Sequence, residues 1–211
     1  RRTSAIFKAL SLLSIMSQNY KVFVDNNVLI FTSAKLEGIP IFDFSDPIAN
    51  YQLLISLLSA NSYQIVSDNP KKSLKKFFRD FKYVKAAGGL VNYQNKMLWI
   101  FRNGKWDLPK GKIERKEKKS HAALREVKEE TGLPGIFSIE HKITVTYHAY
   151  FAYEKSALKK TTWYKMNYLG DLKGKPQKSE GISKVKWFLL HKLDLPISDT
   201  YPLIRDVISG E

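Results

Sequence analysis

The apolar positions in the first third of the chain predict a small unit of strands and helices. Two runs rich in β-branched and aromatic residues, YKVFV and VLIFT, flank residues 25–27 (DNN). Because Asn and Asp tolerate the left-handed backbone of tight turns, these runs predict a β-hairpin. The stretch SDPIANYQLLISLLSA then predicts a mostly buried helix, with Ser45 or Asp46 as its N-cap and Pro47 in its first position. The short run YQIVSDN is a strand candidate.

A second, amphipathic helix is predicted from about Pro70 to Phe81. Its apolar residues recur at i, i+3, i+4 and i+7 and form one stripe: Leu74, Phe77, Phe78 and Phe81. Basic residues cover the other side of the helix: Lys71, Lys72, Lys75, Lys76 and Arg79. We interpret this basic side as a solvated face, and docking of RNA or acidic lipid is the alternative. We therefore expect residues 16–82 to form a small α+β domain of unknown role.

From Tyr83 onward, strand patterns surround one main helix. Strands are predicted in YVKAAGGLVNYQNKMLWIFRNGKWDLP, KITVTYHAYFAY, TTWYKMNYL and VKWFLL, and a last helix from Ser198 to Ile208. The order of these elements predicts a mixed α/β domain over residues 83–211, with the main helix between two groups of strands.

The first fifteen residues continue neither pattern. Two arginines and a short apolar stretch faintly resemble a signal peptide, but Lys8 interrupts the apolar part and no small-x-small cleavage site follows. Met16 and the polar tripeptide after it are typical of an initiation site. We expect residues 1–15 to be an extension outside the fold. No apolar run approaches the roughly 18 residues that a membrane-spanning helix needs.

Composition and net charge restrict the classes of partner that the protein is expected to bind. The chain is 44% hydrophobic and 13% aromatic, as a globular protein is. Its 35 Lys and Arg against 20 Asp and Glu give a net charge of +15, which favours polyanionic partners such as nucleotides, RNA, inositol phosphates or an anionic membrane surface. The absence of Cys excludes disulfides, thiolate metal sites and a Cys nucleophile, and it suits a reducing cytoplasm, where we expect the protein to be.

One short acidic stretch stands out in this basic chain. In REVKEETGL, the residues Glu126, Glu129 and Glu130 are three and four positions apart, so at 3.6 residues per turn they share one helix face. Ser120 is the expected N-cap of this helix and Gly132 its left-handed C-terminal residue. A solvated acidic face is the simpler interpretation of the triplet KEE alone. Clustered carboxylates with no Cys or His among them also favour Mg²⁺ or Mn²⁺ as the bound metal ion.

The spacing around these residues decides between the two interpretations. After Gly111 and five intervening residues comes Glu117, after seven more intervening residues Arg125-Glu126, and then Glu129-Glu130 and Gly132-Leu133. This pattern matches the Nudix box without substitution, and a chance match is on the order of one in a billion per window. The chain therefore resembles the Nudix hydrolases over about residues 83–211. The resemblance implies a Nudix-type α/β/α sandwich with a mixed sheet.

The resemblance also implies a role for each residue of the box. Glu126 and Glu130, with the carbonyl of Gly111, would hold the catalytic Mg²⁺, for which Mn²⁺ is a possible substitute. Glu129 would ligate a further Mg²⁺ or order a water. Gly111 suits a close approach of the backbone to the metal.

Three further residues have roles near the box. The resemblance implies that Arg125 pairs with Glu117 and holds the preceding loop against the helix. Members of the family also use a carboxylate outside the box as a ligand or general base. Glu180 in KSEGISKVKWF is our candidate, and an ordinary surface glutamate is the alternative.

The substrate contacts are predicted from residues around the box. Lys110 and Lys112 flank Gly111 and are candidates for substrate phosphates, with Arg102 next. Trp106 either stacks on a base or fills the sheet edge. In the family, a tyrosine some sixteen to eighteen residues beyond the box is linked to diadenosine polyphosphates, and Tyr150 falls there.

The implied reaction is hydrolysis of a diphosphate linkage. The segment WDLPKG and the basic charge favour a highly phosphorylated substrate: diadenosine polyphosphates first, then nucleoside triphosphates, RNA 5′ ends and diphosphoinositol polyphosphates. Two alternatives remain, a Nudix-fold nucleotide sensor without catalysis and an RNA-interacting protein that works through its basic N-terminal domain. The oligomeric state stays open.

Overall fold

The structure, a computed structural model, describes residues 19–58 and 62–210. The expectation for residues 1–15 therefore lies outside the described residues. The chain divides into two compact units. The first unit runs to Lys82 and includes residues 147–158, and the second consists of residues 83–146 and 159–211. None of the described helices is long and apolar enough to cross a membrane.

The first unit is built around a hairpin. Strands β1 (Tyr20–Val24) and β2 (Asn27–Thr32) pair antiparallel, with Val22 opposite Leu29, which confirms the predicted hairpin. Asp25 adopts a φ of 50° in the turn, a conformation that Asp tolerates better than most residues. Strand β3 (Ser62–Val66) adds to β2 in parallel.

Two short helices complete the described part of this unit. Helix α1 (Tyr51–Leu57) begins later than predicted, because the side chain of Asn50 accepts the hydrogen bond of the Leu53 N–H and caps the helix there. The N-cap expected at residues 45–46 is therefore wrong. Helix α2 (Pro70–Phe77) begins as predicted and ends four residues early. Its predicted apolar stripe is buried, with Phe77 edge-on against Phe31 of β2.

The second unit contains the remaining elements. Its strands are β4 (Lys82–Tyr93), β5 (Lys96–Arg102), β6 (Lys105–Asp107), β7 (Lys110–Lys112), β8 (Ile136–Ala152), β9 (Lys155–Leu169) and β10 (Ile182–Leu189). Its helices are α3 (Lys119–Thr131), α4 (Asp194–Ser198) and α5 (Pro202–Ser209). The strand order is β10-β5-β4-β9-β8, and β6 and β7 pair with β5 and β4. The long strands β8 and β9 contribute residues to both units.

Alternate residues of these strands enter two separate cores. On one face, Leu98 and Met166 pack with Val127 of α3. On the other, Trp99 and Trp163 pack with residues of α5. Because neighbouring residues of a strand point to opposite faces, each strand supplies both layers. The result is a mixed sheet between helices, which confirms the predicted α/β/α sandwich.

The helix predicted from Ser198 to Ile208 begins later, at Pro202, because proline suits the first position of a helix, and a separate short helix, α4, ends at Ser198. Residues 147–158, which lie inside the predicted range 83–211, group with the first unit. The reason is a parallel pairing of Val22–Val24 in β1 with Tyr147–Ala149 in β8.

Candidate active site

Helix α3 presents the three clustered glutamates. It runs from Lys119 to Thr131 and ends at Gly132, whose φ of 58° is the predicted left-handed C-terminal conformation. The expected N-cap at Ser120 is wrong: the helix already includes this residue, and no side-chain hydrogen bond caps its start. Ala123 and Val127 are fully buried and fix which face of the helix turns to the core.

The carboxylate of Glu126 lies directly against the backbone of Gly111 in β7. A Cβ atom added at Gly111 would come within 1.9 Å of Glu126 Oε2, so no residue with a side chain fits there without moving the carboxylate. The side chain of Glu126 is 14% exposed. Burial raises the pKa of Glu126, and the bond to Arg125 opposes this rise. Strand β7 and helix α3 thus meet at a glycine and a glutamate.

Glu130 is the most deeply buried of the three carboxylates, with 2% of its surface exposed. It accepts hydrogen bonds from the backbone N–H of Lys110 at 2.8 Å and from Arg102 at 3.0 Å. Burial raises the pKa of Glu130 to about 7, although the charges of Lys110 and Arg102 act in the other direction. A buried carboxylate of this kind requires positive charge nearby to stay ionised.

Arg125 connects the loop before α3 to the acidic face of the helix. Its guanidinium donates two hydrogen bonds of 2.9 Å to Glu117, one of 2.8 Å to Glu126 and one of 3.0 Å to Glu129. It also donates to the carbonyl of Lys112. The Arg125 hydrogen bond is the main reason why the pKa of Glu117 falls to about 2. Since one nitrogen of Arg125 serves both Glu126 and Glu129, these two carboxylates converge.

Arg102 brings Glu180 into the same cluster. One nitrogen of Arg102 bonds Glu130, and the other lies 2.8 Å from Glu180, which is about half-exposed. Glu180 ends a short 3-10 turn (Lys178–Glu180), and Gly181 follows with a φ of 74°. The predicted carboxylate outside the box and the predicted basic residue Arg102 therefore lie together.

The donor atoms of this cluster suit a hard divalent cation. The carboxylates of Glu126, Glu129 and Glu130 and the backbone of Gly111 offer only oxygen, the ligand that Mg²⁺ and Mn²⁺ prefer. Within residues 19–58 and 62–210, no three acidic or histidine side chains stand in a finished metal-ligand arrangement. In this structure each carboxylate bonds to an arginine or to a backbone N–H.

The other predicted substrate residues lie in different surroundings. The side chain of Lys110 pairs with Asp107, and Lys112 is exposed. The ring of Trp106 is only 7% exposed and packs against the rings of two phenylalanines, so its position agrees with filling the sheet edge and not with stacking on a base. Tyr150 belongs to the first unit, where its ring stacks on His148.

Sequence reasoning missed three residues near this cluster. Asp107 is 4% exposed and accepts hydrogen bonds from the Leu108 N–H and from Lys110. Lys159 of β9 is half-buried and interacts electrostatically with Lys110 and Arg102. Tyr201, before α5, is half-buried and interacts with Asp107. No local signal distinguished Lys159, because β9 contains four lysines and Lys159 stands directly beside Lys160.

Comparison with known proteins identifies the family to which this chain belongs. A family model described as the NUDIX domain matches residues 82–207, more than half of the chain. The chain therefore belongs to the Nudix family, and its general activity is that of a Nudix pyrophosphohydrolase, an enzyme class that uses divalent metals. No curated protein matches the sequence.

Several solved structures are similar in fold. A NUDIX hydrolase from Nitrosomonas europaea aligns with a TM-score of 0.50 and 20% identity, over 61% of this chain and 88% of that one. A MutT NUDIX hydrolase from Burkholderia pseudomallei aligns with a TM-score of 0.47 and 20% identity, over 61% and 98%. An Ap4A hydrolase from C. elegans aligns with a TM-score of 0.43 and 22% identity, over 60% and 93%. At 20% identity, the first of these supports the fold alone.

Proposed function

We propose that the protein is a Mg²⁺-dependent hydrolase of a diphosphate linkage in a highly phosphorylated nucleotide, such as a diadenosine polyphosphate or a nucleoside triphosphate. The observation that carries this proposal is the meeting of α3 and β7. There the carboxylate of Glu126 contacts the backbone of Gly111, which has no side chain, and the buried Glu130 lies on the same face of α3. Arg102 bonds Glu130 through its guanidinium and supplies positive charge for phosphate oxygens. The backbone N–H of Lys110 bonds the same carboxylate, and the ammonium group of Lys110 pairs with Asp107.

Glu126, Glu130 and the carbonyl of Gly111 would hold the metal, and Glu129 would hold a second ion or a water. Bound there, Mg²⁺ supplies charge neutralisation for the phosphates and a water of lowered pKa. Glu129 is half-exposed, so it is the member of the set that solvent reaches most easily.

The remaining side chains bind, orient and move a proton. Arg125 keeps the loop of Glu117 and the acidic face of α3 in one arrangement through its hydrogen bonds. Arg102 and Lys110 bind phosphate oxygens, and phosphoryl transfer depends mainly on this kind of positioning and charge compensation. We assign the role of general base for the attacking water to Glu180, a half-exposed carboxylate that Arg102 links to Glu130.

Product analysis by ³¹P NMR over a panel of diphosphate compounds tests the proposal. We expect Mg²⁺-dependent cleavage of diadenosine polyphosphates or nucleoside triphosphates, and a loss on the order of 10²–10³ in kcat for Glu129→Gln. Lys128→Gln is the matched control, because Lys128 lies on the same helix and is exposed. A stronger preference for ADP-ribose or NADH, or cleavage without any divalent ion, would overturn the proposal.

A second candidate function, action on RNA 5′ ends or binding of RNA through the first unit, rests on the basic side of α2. Lys71, Lys72 and Lys75 are exposed, and in the described part of the chain none of them forms an ion pair. A triple change of these lysines to Gln would weaken RNA binding and reduce its salt dependence, whereas Glu129→Gln would leave binding unchanged. Equal RNA binding by the triple variant and the wild type would exclude this role for α2.

A further inference from the structure

Asp107 is a buried carboxylate that the proposed reaction does not use. It is the last residue of β6, and both of its oxygens accept hydrogen bonds from the segment that leads into β7. Its Oδ1 accepts the N–H of Leu108 at 2.8 Å, and its Oδ2 accepts the ammonium group of Lys110. A buried carboxylate persists only with compensating charge or hydrogen bonds. Asp107 therefore holds residues 108 and 110, and they in turn stabilise its charge.

The pair of Asp107 and Lys110 lies where the chain passes from one strand partner to another. Asp107 stands opposite Ile100 of β5, whereas Lys110 stands opposite Gly88 of β4. Strands β6 and β7 have only three residues each, against about five or six in a usual strand. Because such short strands contribute few ladder hydrogen bonds, the ion pair across the turn adds to what holds β7 in place.

Lys110 connects Asp107 to the carboxylates of α3. Its side chain pairs with Asp107, and its backbone N–H donates to Oε2 of Glu130 at 2.8 Å. The other oxygen of Glu130 accepts from Arg102 at 3.0 Å. Since Asp107 also holds the N–H of Leu108, the short segment is attached on both sides of the turn. A loss of these attachments would release the N–H that Glu130 accepts.

The residue after Lys110 leaves little room for movement. A Cβ atom added at Gly111 would lie 1.9 Å from Oε2 of Glu126, so the backbone of β7 is already in close contact with α3. A displacement of about 1 Å in such a site is enough to lower a catalytic rate on the order of 10²-fold. The position of β7 therefore sets the geometry of Glu126 as well as that of Glu130.

We propose that Asp107 is a positioning residue of the active site, which acts through Lys110 to hold β7 against α3 and so fixes Glu130 and Gly111. Its effect on metal binding and catalysis rests on the proposed function, in which Glu130 and Gly111 are metal ligands. Groups that orient metal ligands typically change metal affinity or activity 10- to 100-fold when they are replaced. Since an ammonium group has three donors, the pair with Asp107 leaves Lys110 able to bind a phosphate oxygen as well.

The test combines Asp107→Asn and Lys110→Met in a double-mutant cycle. Asp107→Asn keeps the volume and an acceptor for the Leu108 N–H but removes the charge that Lys110 meets. The double variant removes both charges, so it keeps the net charge of the wild type and leaves neither partner unpaired in a buried position. Asp199→Asn is the matched control, because Asp199 is half-exposed and lies 3.8 Å from Lys105.

The first measurement is calorimetric titration with Mn²⁺ in the absence of substrate. We expect Asp107→Asn and the double variant to weaken Mn²⁺ binding about 10- to 100-fold, and Asp199→Asn to bind as the wild type does. If Asp107 acts through Lys110, the double variant is no weaker than Asp107→Asn alone. Wild-type affinity in the double variant would show that only the long-range charge of Asp107 matters, and additive losses would show that Asp107 acts without Lys110. Either result would overturn the proposal.

The second measurement, amide hydrogen exchange by NMR, needs neither metal nor substrate. We expect Asp107→Asn to speed exchange of the Lys110 N–H about tenfold or more, as loss of a hydrogen bond to a charged group predicts. The N–H of Ile113, which donates to the carbonyl of Lys85 at 3.0 Å, should exchange at the wild-type rate. Unchanged exchange at Lys110, or equally faster exchange at both amides, would refute a positioning role. If the wild type binds no divalent ion and cleaves no diphosphate compound, the proposed function fails, and this measurement still decides whether Asp107 positions Lys110.

Discussion

Helices α2 and α3 carry charges of opposite sign, and their charged faces differ in exposure and in ion pairing. On α2, Lys71, Lys72 and Lys75 are exposed and, within the described residues, without ion pairs. On α3, the side chains of Glu126 and Glu130 are 14% and 2% exposed, and each bonds to an arginine. In the sequence, the lysines of α2 and the glutamates of α3 recur at similar helical spacings.

We infer from this contrast that the burial of charged side chains, and not their number, distinguishes the functional helix face from a solvated one. An exposed lysine is solvated by water and contributes little to stability. A buried carboxylate loses its hydration and persists only with compensating charge or hydrogen bonds. The acidic face of α3 is therefore a costly arrangement that a catalytic role explains, whereas the basic face of α2 needs no such explanation.

The largest effect is expected for Glu130→Gln on α3. Removal of the buried charge should lower kcat for diphosphate cleavage on the order of 10²–10³-fold, since it removes a proposed metal ligand. Steady-state kinetics under saturating Mg²⁺ measures this. Lys75→Gln on α2 should leave kcat unchanged, and an equal effect of the two substitutions would erase the distinction between the helices.

Gly111→Ala should have the next largest effect. The new methyl group would meet the Glu126 carboxylate at 1.9 Å and displace it. We expect kcat to fall on the order of 10²-fold, as misplacement of a catalytic group by about 1 Å predicts. Gly104→Ala is the control, because nothing lies within 4 Å of a Cβ atom there. Normal kinetics of Gly111→Ala would contradict the close contact of β7 and α3.

Arg125→Lys should lower stability where Arg79→Lys does not. A lysine cannot donate to Glu117 through two parallel bonds and also reach the acidic face of α3, so we expect a loss of about 1–3 kcal/mol in the free energy of unfolding. Arg79, two residues beyond the end of α2, forms one exposed pair with Asp80 at 3.5 Å, and its replacement should cost less than about 0.5 kcal/mol. Denaturant titration of both variants provides the comparison.

Lys159→Met should raise stability at neutral pH. The pKa of Lys159 is about 8 in the folded protein, against an ordinary value of 10.5. Between these two pH values the unfolded chain binds more protons than the folded one, so the free energy of unfolding rises with pH across this window. Below pH 8 the unfavourable charge acts fully, and its removal should raise Tm by about 2–4 °C. Thermal melting at pH 7 and pH 10 checks this, because the gain should shrink at the higher pH. A lower Tm at pH 7 would indicate that Lys159 stabilises the fold.

The amino-acid sequence was sufficient to predict the features that depend on residues close together along the chain. The spacing of Glu126, Glu129 and Glu130 places them on one helix face, whatever surrounds the helix, because the helical period is local. The left-handed residue at Gly132 and the hairpin turn at residues 25–27 follow in the same way from backbone preferences. The Nudix box is also a local pattern, and for this reason it can be recognised from the sequence alone.

Which distant groups lie beside the acidic face of α3, and which residues are buried, became known from the packing of the folded chain. Arg102 reaches Glu130 across 28 positions and Glu180 across 78, and no local period relates them. The burial of Trp106 and of Asp107 depends on how the strands pair, and the sequence of a single strand does not contain this information. Local backbone preferences act within a few residues, whereas desolvation and charge compensation depend on every group that packing brings near.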